Sequence, residues 1–243
     1  MIEPTLVFWL GALGMAAGTV AFAWGGRSAA AESRQYYTVL GAISLIATAA
    51  YVTMAMGYGW LSVDGRTVFA PRYVDWILTT PLLLLYLGWL ADINRSRLGL
   101  VVGVNTLVMA GGFAGALLTG PVRFALFGVA AVAYVGLLYL ILQPMTARAN
   151  EQADAIRSLF TGLRNLTVIL WSVYPVIWLL GTAGFGLLTL PVDVMLTTYL
   201  DLLTKVGFGL IALNAGAALE AEYGASIADN EPTDDADAAA PSA

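Results

Sequence analysis

Lys205 is the single lysine among 243 residues, and it stands inside an apolar run whose centre reads Tyr199-Leu-Asp-Leu-Leu-Thr-Lys205. The run, residues 192–219, is long enough to cross a bilayer as a helix. Each unpaired charge at mid-depth costs roughly 3 kcal/mol on insertion scales. Asp201 and Lys205 are four apart and therefore share nearly one face, about 6 Å apart along the axis. A second costly group reads Arg72-Tyr-Val-Asp75-Trp-Ile-Leu-Thr79-Thr-Pro81, with Arg72 and Asp75 three apart on one face. At about 4 Å and an effective dielectric near 20, an ion pair is worth about 4 kcal/mol. Such pairing makes a quartet of two cations and two anions tolerable without explaining why it is kept. Two intramembrane ion pairs could simply hold helices together. A buried lysine can also carry a proton or attack an aldehyde, because burial favours the neutral amine. A protonated imine would then need a carboxylate counterion, and Asp75 and Asp201 supply two.

The element preceding this run adds flat walls. Trp171, Tyr174 and Trp178 are spaced three and seven apart, which sets them on one helical face, and Trp76 contributes a fourth ring. A conjugated ligand would suit such a box, as would plain aromatic packing. Pro175 lacks a donor for the carbonyl of Trp171, so the helix is expected to be weak or bent there.

Composition names the class that must position these groups. The chain is 59% hydrophobic and 11% charged, with mean hydropathy +0.79, which fits a polytopic all-α membrane protein. With no cysteine and no histidine, disulfides, thiolate chemistry and the usual near-neutral proton carrier are excluded, and no metal site is expected. No enzymatic activity is expected either. The start, Met-Ile-Glu-Pro, lacks the basic segment of a cleaved signal peptide.

Hydropathy gives seven spans, at residues 6–24, 37–56, 69–90, 98–118, 124–142, 159–180 and 192–219. Arg27, Arg34, Arg95, Arg97, Arg148, Arg157 and Arg164 fall on one side of the bundle, whereas only Arg66 and Arg123 lie in loops on the other. The positive-inside rule then places the N-terminus outside and the C-terminus in the cytoplasm of a multi-pass cell-membrane protein. Residues 1–222 are expected to form one seven-helix domain. Residues 223–243 read as an acidic, disordered cytoplasmic tail. From Glu220 onward there are seven acids and no bases, so the net charge of −5 becomes +2 without them.

The segments Arg72 to Pro81, Trp171-Ser-Val-Tyr174-Pro-Val-Ile-Trp178 and Asp201-Leu-Leu-Thr-Lys205 resemble the archaeal (microbial) rhodopsins, seven-helix proteins that hold retinal on a lysine. The resemblance covers roughly residues 5–222. It implies all-trans retinal on Lys205 as a protonated Schiff base, with Asp75 as counterion and proton acceptor and with Asp201 and Arg72 completing the network. It also implies a retinal pocket of Trp76, Thr79, Thr80, Met109, Gly112, Phe127, Tyr134, Trp171, Tyr174, Trp178 and Thr204.

Within the family, Asp75 argues against a chloride pump, which has a neutral residue at that position. Proton pumps of the family carry a carboxylate about three turns inward of the acceptor, where this chain has Tyr86. An ordinary phenol titrates near 10 and is a poor donor at neutral pH, about three units below. The segments Phe8-Trp-Leu-Gly-Ala, Arg66-Thr-Val-Phe-Ala-Pro-Arg72, Phe113-Ala-Gly-Ala, Arg164 to Trp171 and Thr204-Lys205-Val-Gly-Phe, with Asn105, are similar to the sensory rhodopsin II (phoborhodopsin) subgroup. That similarity implies a blue-green photoreceptor for phototaxis, a signalling hydrogen bond between Thr204 and Tyr174, and a two-helix membrane transducer. The transducer would lie on the outer faces of helices six and seven at Tyr199 and Thr189. The small, non-hydroxyl residues of Phe127-Gly-Val-Ala-Ala131 fit blue-shifted absorption. Asp193 reads as facing water or, less favoured, as part of a proton-release path. A light-driven outward proton pump is the alternative reading. Beyond the bilayer and the transducer, a homo-oligomer is left open, and nucleic acid is not expected.

Overall fold

In the computed structural model residues 3–31 and 33–216 are described; the acidic tail at 223–243 lies outside them. Among the described residues, seven helices are each long and apolar enough to cross a membrane. They are α1 (Pro4–Ser28), α2 (Arg34–Ala55), α3 (Ala70–Leu90), α4 (Arg95–Leu117), α5 (Val122–Ala149), α6 (Asp154–Leu180) and α7 (Leu190–Gly216). Neighbours in sequence pack together, and α7 closes the bundle against α1. Apolar side chains such as Val129, Val132 and Val135 of α5 point outward, as lipid requires.

The observed helices overrun most of the hydropathy spans, and the reason is chemical. Arg34, Arg95 and Asp154 are polar first-turn residues, so hydropathy fades there before the helix does. Proline starts α1, α3 and α7 at the same end of the bundle, a position where its missing N–H costs nothing. Asn94 caps α4 by accepting from the Arg97 N–H at 2.9 Å.

One expected loop is ordered. Trp60–Val63 (β1) and Arg66–Phe69 (β2) form an antiparallel hairpin, with Val63 paired to Arg66 across a two-residue turn. Asp64 and Gly65 both take positive φ, as a type I′ turn demands. Trp60 and Phe69 of this hairpin pack edge-to-face on Phe8 of α1.

Two helices depart from regular winding. Residues Ile141–Met145 of α5, containing Pro144, form a π-turn, as do Leu203–Gly207 of α7, containing Lys205. By contrast α6 runs unbroken through Pro175. Gly11 lets α1 lie close to α2 and α7: a Cβ there would sit 2.5 Å from the Tyr51 ring and 2.8 Å from Thr198.

Candidate functional site

The π-turn carries Lys205 into the centre of the bundle, where it is 2% exposed. Its Nζ donates to Asp75 Oδ2 at 2.6 Å and lies 3.5 Å from Asp201 Oδ1. The expected lysine–carboxylate pairs are therefore both present, one from α3 and one from α7 itself.

The two carboxylates are held differently. Asp201 accepts from Tyr51 Oη at 2.6 Å, Tyr174 Oη at 2.7 Å and Trp76 Nε1 at 3.0 Å. Three neutral donors from three helices therefore occupy its lone pairs. Asp75 takes the lysine on Oδ2, and among the described residues its buried Oδ1 has no hydrogen-bond partner. Of the two, Asp75 keeps room for a proton.

Arg72 does not join that quartet by direct contact. It pairs with Asp193 on α7 at 3.1 Å, both groups buried, and its guanidinium lies 5.0 Å from the Phe69 ring centre. Asp193 is 7% exposed, which corrects its reading as a water-facing residue. A desolvated arginine nearby needs a compensating carboxylate, and Asp193 supplies it.

Beside Lys205 a cavity of about 90 Å³ crosses the bundle toward α5. Its lining includes Trp76, Thr80, Met109, Gly112, Phe127, Tyr134, Trp171, Tyr174, Trp178 and Thr204. Thr79 does not reach it; that side chain is fully buried and donates to the Asp75 carbonyl one turn back. Trp178 stacks on Phe127 with ring centres 4.5 Å apart, and Trp76 meets Tyr174 edge-to-face at 5.1 Å. Asn105 donates to Thr80 at 2.7 Å, and Tyr134 and Ser172 share a bond of 3.0 Å. Thr204 and Tyr174 lie 3.3 Å apart. The phenol proton goes to Asp201, and the one Thr204 hydroxyl proton has the Asp201 carbonyl, also at 3.3 Å, as its other acceptor.

Several contributors had no place in the sequence reading. Tyr51 sat unremarked in an apolar span, although a buried phenol in lipid calls for an acceptor. Tyr73, Leu83 and Val108 also line the cavity; only helical phase could have suggested them. Tyr86 is buried, and its ring packs edge-to-face on Tyr36 and Phe208. Tyr199 is 61% exposed on α7, and Thr189, also exposed, precedes the first turn of that helix.

The apolar, ring-walled cavity, the amine at its edge and the unsatisfied Asp75 oxygen suit a flat polyene aldehyde bound at Nζ. Seven spanning helices closing on such a lysine define a class, and the chain belongs to the Bacteriorhodopsin-like protein family, whose model matches residues 4–219. It is similar to Sensory rhodopsin-2 of Natronomonas pharaonis, with 57% identity covering 94% of this chain and 95% of that one. It is also similar to Sensory rhodopsin-2 of Haloarcula vallismortis, at 43% identity over 88% and 92%. Among solved structures, the thermophilic rhodopsin from Rubrobacter xylanophilus superposes with a TM-score of 0.87 at 37% identity, covering 89% and 97%. The chain is thus a multi-pass cell-membrane protein.

Proposed function

We propose that this chain is a photoreceptor of the sensory rhodopsin II kind, not an enzyme, with Lys205 holding all-trans retinal through Nζ. The observation that carries the reading is the Lys205–Asp75 pair at the edge of the ring-walled cavity. Retinal bound there would supply visible absorption and a light-driven change from all-trans to 13-cis. With retinal bound, Lys205 Nζ would hold the proton in the dark and Asp75, its hydrogen-bond partner in the retinal-free chain, would receive it. Asp201 stays fixed by Tyr51, Tyr174 and Trp76 and keeps a negative charge beside the site. Arg72 adds a positive charge from its place on Asp193.

Loss of the Lys205–Asp75 ion pair would release α6 near Pro175, with the Thr204–Tyr174 contact coupling α7 to it. A two-helix membrane transducer, seated at Tyr199 and Thr189, would read that movement for phototaxis. Residues 1–222 would form the retinal-binding domain, with the N-terminus outside and residues 223–243 as a cytoplasmic tail. The names of the two sensory relatives support the sensor reading, as does Tyr86 in place of an inward acid.

The alternative, a light-driven outward proton pump, differs in proton return. Retinal-loaded protein in sealed vesicles should show a slow photocycle with little sustained pH change under steady light. Fast, sustained proton transport with a millisecond cycle would reject the sensor in favour of the pump.

A further inference from the structure

The hairpin end of the bundle holds a second polar site, outside the lysine cavity. Arg66 on β2 and Arg123 at the start of α5 line one cleft of about 440 Å³ together with Thr67 and Thr182. Arg66 donates to the carbonyls of Ala183 at 3.2 Å and Leu118 at 2.7 Å, and Arg123 to the next carbonyl, Gly184, at 2.9 Å. Neighbouring backbone oxygens thus fix the two guanidinium groups side by side across three connections of the bundle.

Carbonyls orient a guanidinium without neutralising it. Among the described residues neither arginine has a carboxylate ion-pair partner. The Nε of each is buried with no hydrogen-bond partner. Burial first, and then the Arg123 charge beside it, lowers the Arg66 guanidinium from its ordinary value, while Asp64 pulls the other way. Two like charges are therefore held together against their repulsion beside open space. Loop clasping alone would be served as well by neutral donors, which carry no repulsion.

We propose that this cleft is an anion site for a phosphate or sulfate group, held between Arg66 and Arg123. Guanidinium forks match the oxygens of such groups in pairs, and a shared anion would turn their repulsion into attraction. The group could arrive as a free anion or as the headgroup of a lipid at this end of the bundle.

The test uses the full chain in nanodiscs of zwitterionic phosphatidylcholine, in buffer free of phosphate and sulfate. Radiolabelled inorganic phosphate should bind saturably at one site, and Arg66→Gln or Arg123→Gln should weaken it about tenfold or more. Arg66→Lys and Arg123→Lys, which keep the charge but lose the paired fork, should bind phosphate less tightly than the wild type and more tightly than the glutamine variants, and this guards against loop collapse in the latter. Repeating the titration in phosphatidylglycerol nanodiscs separates the sources. Loss of phosphate binding there, with lipid retained by the wild type but not by the glutamine variants, assigns a headgroup. Unchanged phosphate binding assigns a free anion. The proposal is overturned if neither phosphate nor phosphatidylglycerol binds saturably, or if both glutamine variants bind as tightly as the wild type.

Discussion

Tyr51 of α2 donates its phenolic proton to Asp201 of α7 across 2.6 Å, joining residues 150 apart in the chain. With Tyr174 and Trp76 it turns Asp201 into a fixed charge and leaves Asp75 as the carboxylate with an unoccupied oxygen. Replacing Tyr51 by Phe removes one charge-assisted hydrogen bond and leaves the ring packing against Phe8. The expected loss is about 2 kcal/mol of stability, read as a lower thermal midpoint in detergent. An unchanged midpoint would show that Asp201 does not depend on this donor.

Asp75 should set the colour of the retinal-loaded protein and its response to acid. Its charge at the Nζ end stabilises the ground state, in which the positive charge sits at Lys205. Removing that charge lowers the excitation energy. The visible band should therefore move to longer wavelength as pH falls and Asp75 takes up a proton. Asp75→Asn should absorb at long wavelength from the outset and lose that titration; a variant that still titrates like the wild type would move the role to another group.

Tyr86 stands where the pump reading requires an acid, and it is packed between Tyr36 and Phe208. Tyr86→Asp should supply an inward proton donor and shorten the photocycle by about tenfold or more, since a placed acid contributes at least that much. Flash photolysis reads the cycle and a vesicle pH electrode the transport. No acceleration in either would remove Tyr86 as the discriminator.

The Arg72–Asp193 pair is buried at both ends. Asp193→Asn leaves a desolvated guanidinium without its charge partner, at a cost of roughly 3 kcal/mol. The double variant Arg72→Gln with Asp193→Asn should recover part of that loss. Two single variants as stable as the wild type would show the pair to be hydrated and loosely held.

Much of this was legible in the sequence because lipid makes charge expensive. Arg72, Asp75, Asp201 and Lys205 stood out for lying in apolar runs, and the helices brought three of the four together. The pairing of Arg72 with Asp193, 121 residues away, left no trace in spacing. Hydropathy found every helix but clipped most of their polar ends. It also passed over Asp64-Gly65, a hairpin signal that a membrane-length average dilutes. The π-turn at Leu203–Gly207 left no mark in the hydrophobic pattern either.

The account rests on Lys205 Nζ as the attachment point, and that can be measured directly. The wild-type chain mixed with all-trans retinal in the dark should develop a stable visible band, and Lys205→Ala, folded as judged by far-ultraviolet circular dichroism, should develop none. A comparable band in the folded alanine variant, or none in the wild type, would contradict it.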